Sequence, residues 1–274
     1  MKTLKSFTAS ILFLGMVANA WASLLVTPTR VTFDARDRVH EITLVNTSDE
    51  PRQYKLEWVQ NTQNENNQYT RLTDTEIENF DIASPYIRFS PRRVTLKAKE
   101  SQKIKLLARR KSDMSAPEYR SHLRFTALPP ELFDPDEEGT ANGLQLKLNL
   151  MLSYTIPVVL RNEAPNVEVD IVDITFEPLT ANNKSADVTV LVSRKGNVSL
   201  YGNMTLLHRA TSNDEFEPVG FTNGVNVFHE RDRNTITIPW TEKPYVAGGQ
   251  IKVVFEGAKE MAGAFSIDRI VDLN

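Results

Sequence analysis

Residues 143–152 read Gly143-Leu144-Gln145-Leu146-Lys147-Leu148-Asn149-Leu150-Met151-Leu152. Leucine stands at every second position from Leu144 onward, with Gln145, Lys147, Asn149 and Met151 between. A strand repeats every two residues, so all five leucines fall on one face, whereas a helix would spread them around its circumference. The spacing therefore predicts a strand, against leucine's own helical preference. Such a strand either lines the core of its own domain, as half-buried strands usually do, or lends its apolar face to another protein.

The same two-residue period recurs on both sides of this run. Residues 24–33 read as an opening strand broken by Pro28, as an edge or sheet-switching strand would be. Residues 40–46 alternate, and so do 52–60 through Tyr54, Leu56 and Trp58, which suits them to a core rather than to a sugar platform. The polar run 61–67 reads as a loop or hairpin tip. Strands are expected at 87–90, 94–96, 102–107 and 119–128, the last closed by Pro129-Pro130. An acidic loop, 131–142, precedes the leucine run; its carboxylates lack the spacing of a calcium loop, and it reads as a solvated connection. Residues 161–166 read as a linker. A second strand series follows at 167–176, 187–193, 199–209, 234–238, 250–256 and 265–273. Strands at this spacing with turn residues between them predict an all-β chain of two sandwich domains, residues 23–160 and 161–274.

Residues 1–22 carry Lys2 and Lys5, a short apolar stretch through Ile11, Leu12, Phe13 and Leu14, and Ala20-Trp21-Ala22. That is the pattern of a secretory leader cut after Ala22, with Ala18-Asn19-Ala20 as a second possible cut. Its apolar part is short for a membrane span, and no later stretch approaches that length, so an exported protein without membrane insertion is expected. Losing Lys2 and Lys5 takes the formal charge from −3 to −5, which gives no support for nucleic acid. Cysteine is absent, which removes thiol nucleophiles, redox pairs and thiolate metal sites, and leaves an exported fold to be held by burial alone.

The four histidines, His40, His122, His208 and His229, are not at metal-ligand spacing from one another. His40 and His229 sit among polar residues and are expected at the surface. His122 alternates with its strand neighbours and is expected to face outward with Arg120 and Arg124. No nucleophile elbow or glycine-rich phosphate loop is present. No enzyme, metal or cofactor is expected.

Several segments in order resemble the PapD-like periplasmic chaperones of chaperone–usher pathways. They are Val26-Thr27-Pro28-Thr29-Arg30-Val31, Leu44-Val45-Asn46-Thr47-Ser48-Asp49-Glu50-Pro51, Phe89-Ser90-Pro91 with Glu100-Ser101-Gln102-Lys103-Ile104-Lys105-Leu106, Tyr119-Arg120-Ser121-His122-Leu123-Arg124-Phe125 with Leu128-Pro129-Pro130, and Tyr154-Thr155-Ile156-Pro157-Val158. The missing cysteine and the Tyr-Thr-Ile-Pro ending are more similar to the archaic branch.

The resemblance implies two immunoglobulin-like domains in an angled, L-shaped arrangement, with fimbrial subunits and an outer-membrane usher as partners in the periplasm. It implies that Leu144, Leu146, Leu148 and Leu150 complete a subunit's unfinished sandwich, with Leu152, near the hinge, a candidate for the chain's own core. It also implies a basic residue in the interdomain cleft that holds the subunit's terminal carboxylate. Arg30 matches by position. The lysine that serves as a second anchor in other branches has no counterpart in Met151-Leu152-Ser153-Tyr154, and Arg120 and Arg124 are the alternatives. A structural adhesin or fimbrial subunit with two such modules is the competing reading; the immediate start of strand residues after the leader speaks against it, since a subunit would need an extended donor arm.

Overall fold

The opening strand changes sheet at Pro28. In the computed structural model, which describes residues 24–129, 152–178 and 186–273, β1 (Leu24–Thr27) lies in one sheet and β2 (Val31–Phe33) in another. The leader, the acidic loop and the leucines at 144, 146, 148 and 150 lie outside the described residues. The first half continues through β3 (Val39–Asn46), β4 (Arg52–Val59), β5 (Asn61–Gln63), β6 (Tyr69–Arg71), the single-turn helix α1 (Asp74–Ile77), β7 (Ile87–Ser90), β8 (Arg93–Leu96), β9 (Ser101–Ala108), β10 (Glu118–Leu128) and β11 (Ser153–Arg161). The sheets run β1-β3-β9-β7 and β2-β11-β10-β4-β8. This is the strand order of an immunoglobulin sandwich, with an added edge strand on each side of the second sheet's core. Its interior is closed by side chains from alternate positions, among them Phe33, Ile42, Leu44, Tyr54, Ile104, Leu106, Leu123 and Phe125. Each contributes roughly 1.5–3 kcal/mol through burial before ordering costs.

The second half carries β12 (Val167–Glu177), β13 (Asp187–Gly196), β14 (Leu200–Arg209), β15 (Glu217–Val227), β16 (Arg233–Pro239), β17 (Gln250–Gly257) and β18 (Ser266–Asp272). These form sheets β12-β13-β16 and β15-β14-β17-β18. Val188, Val190 and Val192 from β13 meet Ile251, Val253 and Phe255 from β17 in a separate core. The two-residue period places each set on one face. Among the described residues no helix is long and apolar enough to cross a membrane.

β15 is the longest strand that the residues alone did not announce; the short β5 and β6 are the others. Gly220, Asn223 and Gly224 are weak strand formers, yet the strand passes through them with two register irregularities against β14. Gly220 is needed for packing: a β-carbon there would lie 2.2 Å from the Pro239 carbonyl oxygen.

Candidate functional site

The strand that the leucine run leads into is open on one side. β11 pairs with β10 along its whole length, from Ser153 to Arg161. Its other neighbour, β2, runs parallel to it and, among the described residues, pairs at Val158, Val159 and Leu160. Among the described residues, 153–157 therefore present a backbone edge without a second strand beside it. Leu152 is 56% exposed and is not part of the core, contrary to expectation; Tyr154 is exposed beside it. A cleft of about 210 Å³ opens here, lined by Leu24, Tyr54, Phe125, Ala127, Leu152 and Tyr154 with Ser153. A free edge flanked by an apolar cleft can accept a strand from another protein.

The three arginines occupy different settings. Arg30 follows the sheet change and points into the junction between the sandwiches, where its side chain is 1% exposed. Its Nε donates to Glu260 Oε1 at 2.6 Å and its Nη1 to Asn226 Oδ1 at 2.6 Å, while Nη2 has no partner among the described residues. The guanidinium also lies 5.1 Å from the centre of the Tyr201 ring. Arg120, on β10, donates to both oxygens of Glu230, at 2.8 and 2.5 Å, and to the Asn61 carbonyl at 3.0 Å. It stacks 3.5 Å over the Phe228 ring. Arg124 stays within its own sheet, donating to Glu57 of β4, and keeps 29% of its side chain exposed. Both Arg30 and Arg120 thus pair with carboxylates of the second domain, and a carboxylate brought by a partner would compete with Glu260 or Glu230. Burial raises the pKa of each of these glutamates, but the facing arginine outweighs it and holds the carboxyl below its ordinary range.

His122 corrects the expectation that it faces solvent. It shares a face with Arg120 and Arg124, as the alternation required, yet it is 1% exposed. Tyr69 and Phe228 meet its ring edge-on, at 5.4 and 6.0 Å between ring centres. Neither ring nitrogen has a hydrogen-bond partner among the described residues. Burial, with the charges of Arg120 and Arg30, pushes its pKa well below the ordinary histidine value.

Behind this layer Glu118 and Arg161 form a fully buried pair, 3.1 Å from Nε to Oε2. Ser199 donates to the same carboxylate through both its hydroxyl and its backbone N–H. His229 lies with Nδ1 3.5 Å from Glu118 Oε1. Burial raises the Glu118 pKa, but His229, Arg161 and Ser199 together hold it far below the carboxylate range. Serine, histidine and glutamate meet here without forming a catalytic relay, because the fully buried Ser199 hydroxyl bonds the acid directly instead of the imidazole. Among the described residues no three histidine or carboxylate side chains converge to hold a metal ion.

The sequence profile of the family described as "Pili and flagellar-assembly chaperone, PapD N-terminal domain" matches residues 23–164, more than half of the chain. The chain belongs to this chaperone family. The match takes in the whole first sandwich, with the open edge of β11, Arg30, Arg120 and Arg124 inside it. No curated protein matches the sequence. Similar solved structures include the class 5 fimbriae chaperone CfaA, at 14% identity over 90% of this chain and 98% of that one, with a TM-score of 0.44. The CupB2 chaperone of Pseudomonas aeruginosa is similar at 12% identity over 91% of this chain and 100% of that one, TM-score 0.45. A CsuC–CsuE chaperone–tip adhesion subunit complex from the archaic Csu pili of Acinetobacter baumannii is similar at 12% identity, 92% and 98% coverage, TM-score 0.42. At these scores the family assignment rests on the profile match.

Proposed function

We propose that this PapD-family chaperone works in the periplasm, where it captures fimbrial subunits by lending them the strand Leu144, Leu146, Leu148 and Leu150, and passes them to an outer-membrane usher. A subunit lacking one strand exposes both an apolar groove and unpaired backbone edges, which invite aggregation. A donated strand answers both, since its backbone completes the ladder and its alternate leucines fill the groove. The family match supports the reading. So does the edge at residues 153–157, which has no second neighbour among the described residues and directly follows the leucine run in the chain. A chaperone of this kind acts by binding and needs neither a catalytic group nor a cofactor. Arg30 and Arg120 are the candidate carboxylate anchors nearest the domain junction, and each would exchange an internal glutamate for the subunit's carboxylate.

The test is co-expression of a periplasmic subunit with the wild-type chain or with Leu146→Asp/Leu148→Asp. The variant is expected to keep its own melting temperature and to leave the subunit to degradation. Wild-type recovery of the subunit would overturn the donor-strand assignment.

A further inference from the structure

The β5–β6 hairpin belongs to neither sandwich. It is a two-stranded sheet of its own, and an isolated two-stranded hairpin is marginal in water. Its root is in the first domain, where Leu72 N–H donates to the Gln60 carbonyl and Arg120 holds the Asn61 carbonyl. Further along, Thr62, Gln63, Glu65 and Asn67 reach the second domain. Thr62 donates to Glu230 at 3.2 Å, and Asn234 donates to Asn67 at 3.2 Å. The Glu65 carbonyl accepts from Thr235 N–H at 2.8 Å, on the edge of β16 that faces away from β13. Arg231 stands 3.4 Å from the Glu65 carboxylate.

Gln63 is the centre of this contact. It is 2% exposed, which is unusual for a glutamine. Its amide nitrogen donates to the Asn226 carbonyl at 2.9 Å, and its amide oxygen accepts from Phe228 N–H at 3.3 Å. A carboxamide carries the same donor and acceptor as a peptide group, so Gln63 satisfies the backbone at the exit of β15 as a neighbouring strand would. Tyr69, from the other arm of the hairpin, covers His122 and Phe228 where the domains meet.

We propose that residues 61–71 are a strap that fixes the relative orientation of the two domains, with Gln63 as its latch. Domains joined by a short linker move relative to each other unless their interface is extensive, and the strap adds to the two arginine–glutamate pairs and to the contact of Glu118 and Arg161 with Ser199 and His229. Its free end spans the junction and closes on backbone groups through Gln63 and the Glu65 carbonyl, with the Thr62–Glu230 and Arg231–Glu65 contacts beside them. The proposal goes beyond subunit capture and stands whether or not the leucine strand is donated.

The absence of cysteine allows a clean distance measurement. Spin labels at Glu50→Cys and Asn213→Cys, exposed positions in the two domains, are read by pulsed electron paramagnetic resonance in three chains. The first is otherwise wild type. The second has residues 62–70 replaced by Asn-Gly. The third keeps Tyr69 but replaces 64–68 by Asn-Gly and carries Thr62→Val and Gln63→Leu, which removes every hydrogen bond and ion pair named above from the strap to the second domain and leaves only the Tyr69 ring contact. A single narrow distance is expected in the first chain, with loss of that narrow distribution in the other two. A narrow, wild-type distribution in the third chain overturns the proposal, and that chain decides the matter if the second does not fold.

Discussion

Arg120 of the first sandwich and Glu230 of the second meet in a two-point pair, 2.8 Å from Nη1 to Oε2 and 2.5 Å from Nη2 to Oε1, with 3% and 15% of their side chains exposed. Planar donors matched to both carboxylate oxygens give this pair its geometry, and removal from water gives it its stakes. Arg120→Met should cost about 3–5 kcal/mol, because Glu230 is left charged in a dry junction. Urea unfolding reads the loss. Arg120→Met/Glu230→Met should recover much of it, and a double variant as unstable as the single would mean that the cation packs for other reasons.

Arg30 is held in the same way, by Glu260 and Asn226. Arg30→Ala is expected to lower the melting temperature clearly, since Glu260 and the Thr32 hydroxyl that bonds it lose their cation. Weakened subunit capture by the folded variant is expected beside that loss, and unchanged stability would mean that the Glu260 pair adds nothing to the fold and that Arg30 serves the partner's carboxylate alone.

Arg124 offers the contrast. Its pair with Glu57 lies within one sheet and is about a quarter exposed on both sides. Partial exposure lets solvent screen the pair, so Arg124→Ala should cost no more than about 1 kcal/mol. The same unfolding titration checks it.

His122 makes the junction sensitive to acid. The folded ring resists protonation, whereas the unfolded chain takes up a proton as pH falls through the ordinary histidine value of about 6.5. Stability should therefore fall as pH drops below about 6.5, until the ring's own lower value is reached. Glu118, Glu230 and Glu260, all lowered by folding, add a second loss below their ordinary range. His122→Phe keeps a ring against Tyr69 and Phe228 and buries no nitrogen, so it should flatten stability between pH 7 and 5, as read from urea midpoints. An unchanged slope would place the titrating group elsewhere.

The residues alone carried the strands wherever alternation was regular. Val188, Val190 and Val192, or Ile251, Val253 and Phe255, announce their faces by period, and Pro28 announced an edge or a change of sheet, of which the structure shows the change of sheet. β15 escaped because Gly220 and Gly224 are the same residues that end strands elsewhere; here one admits the Pro239 carbonyl and the other takes a left-handed conformation. The polar run 61–67 was legible as a loop or hairpin tip, and the structure makes it part of the hairpin 61–71. Its grip on the second domain was not, because no local pattern distinguishes a solvated glutamine from one that serves as a strand neighbour.

Periodicity in this chain determined which side chains share a face: Arg120, His122 and Arg124 were bound to project together from β10. It could not say what that face would meet. Only the closing of the second domain and the hairpin over one end of the sheet buried Arg120 and His122 while leaving Arg124 partly in water. A strand fixes direction through bonds between neighbouring residues, whereas burial is fixed by atoms more than a hundred residues away, Glu230 and Phe228 among them.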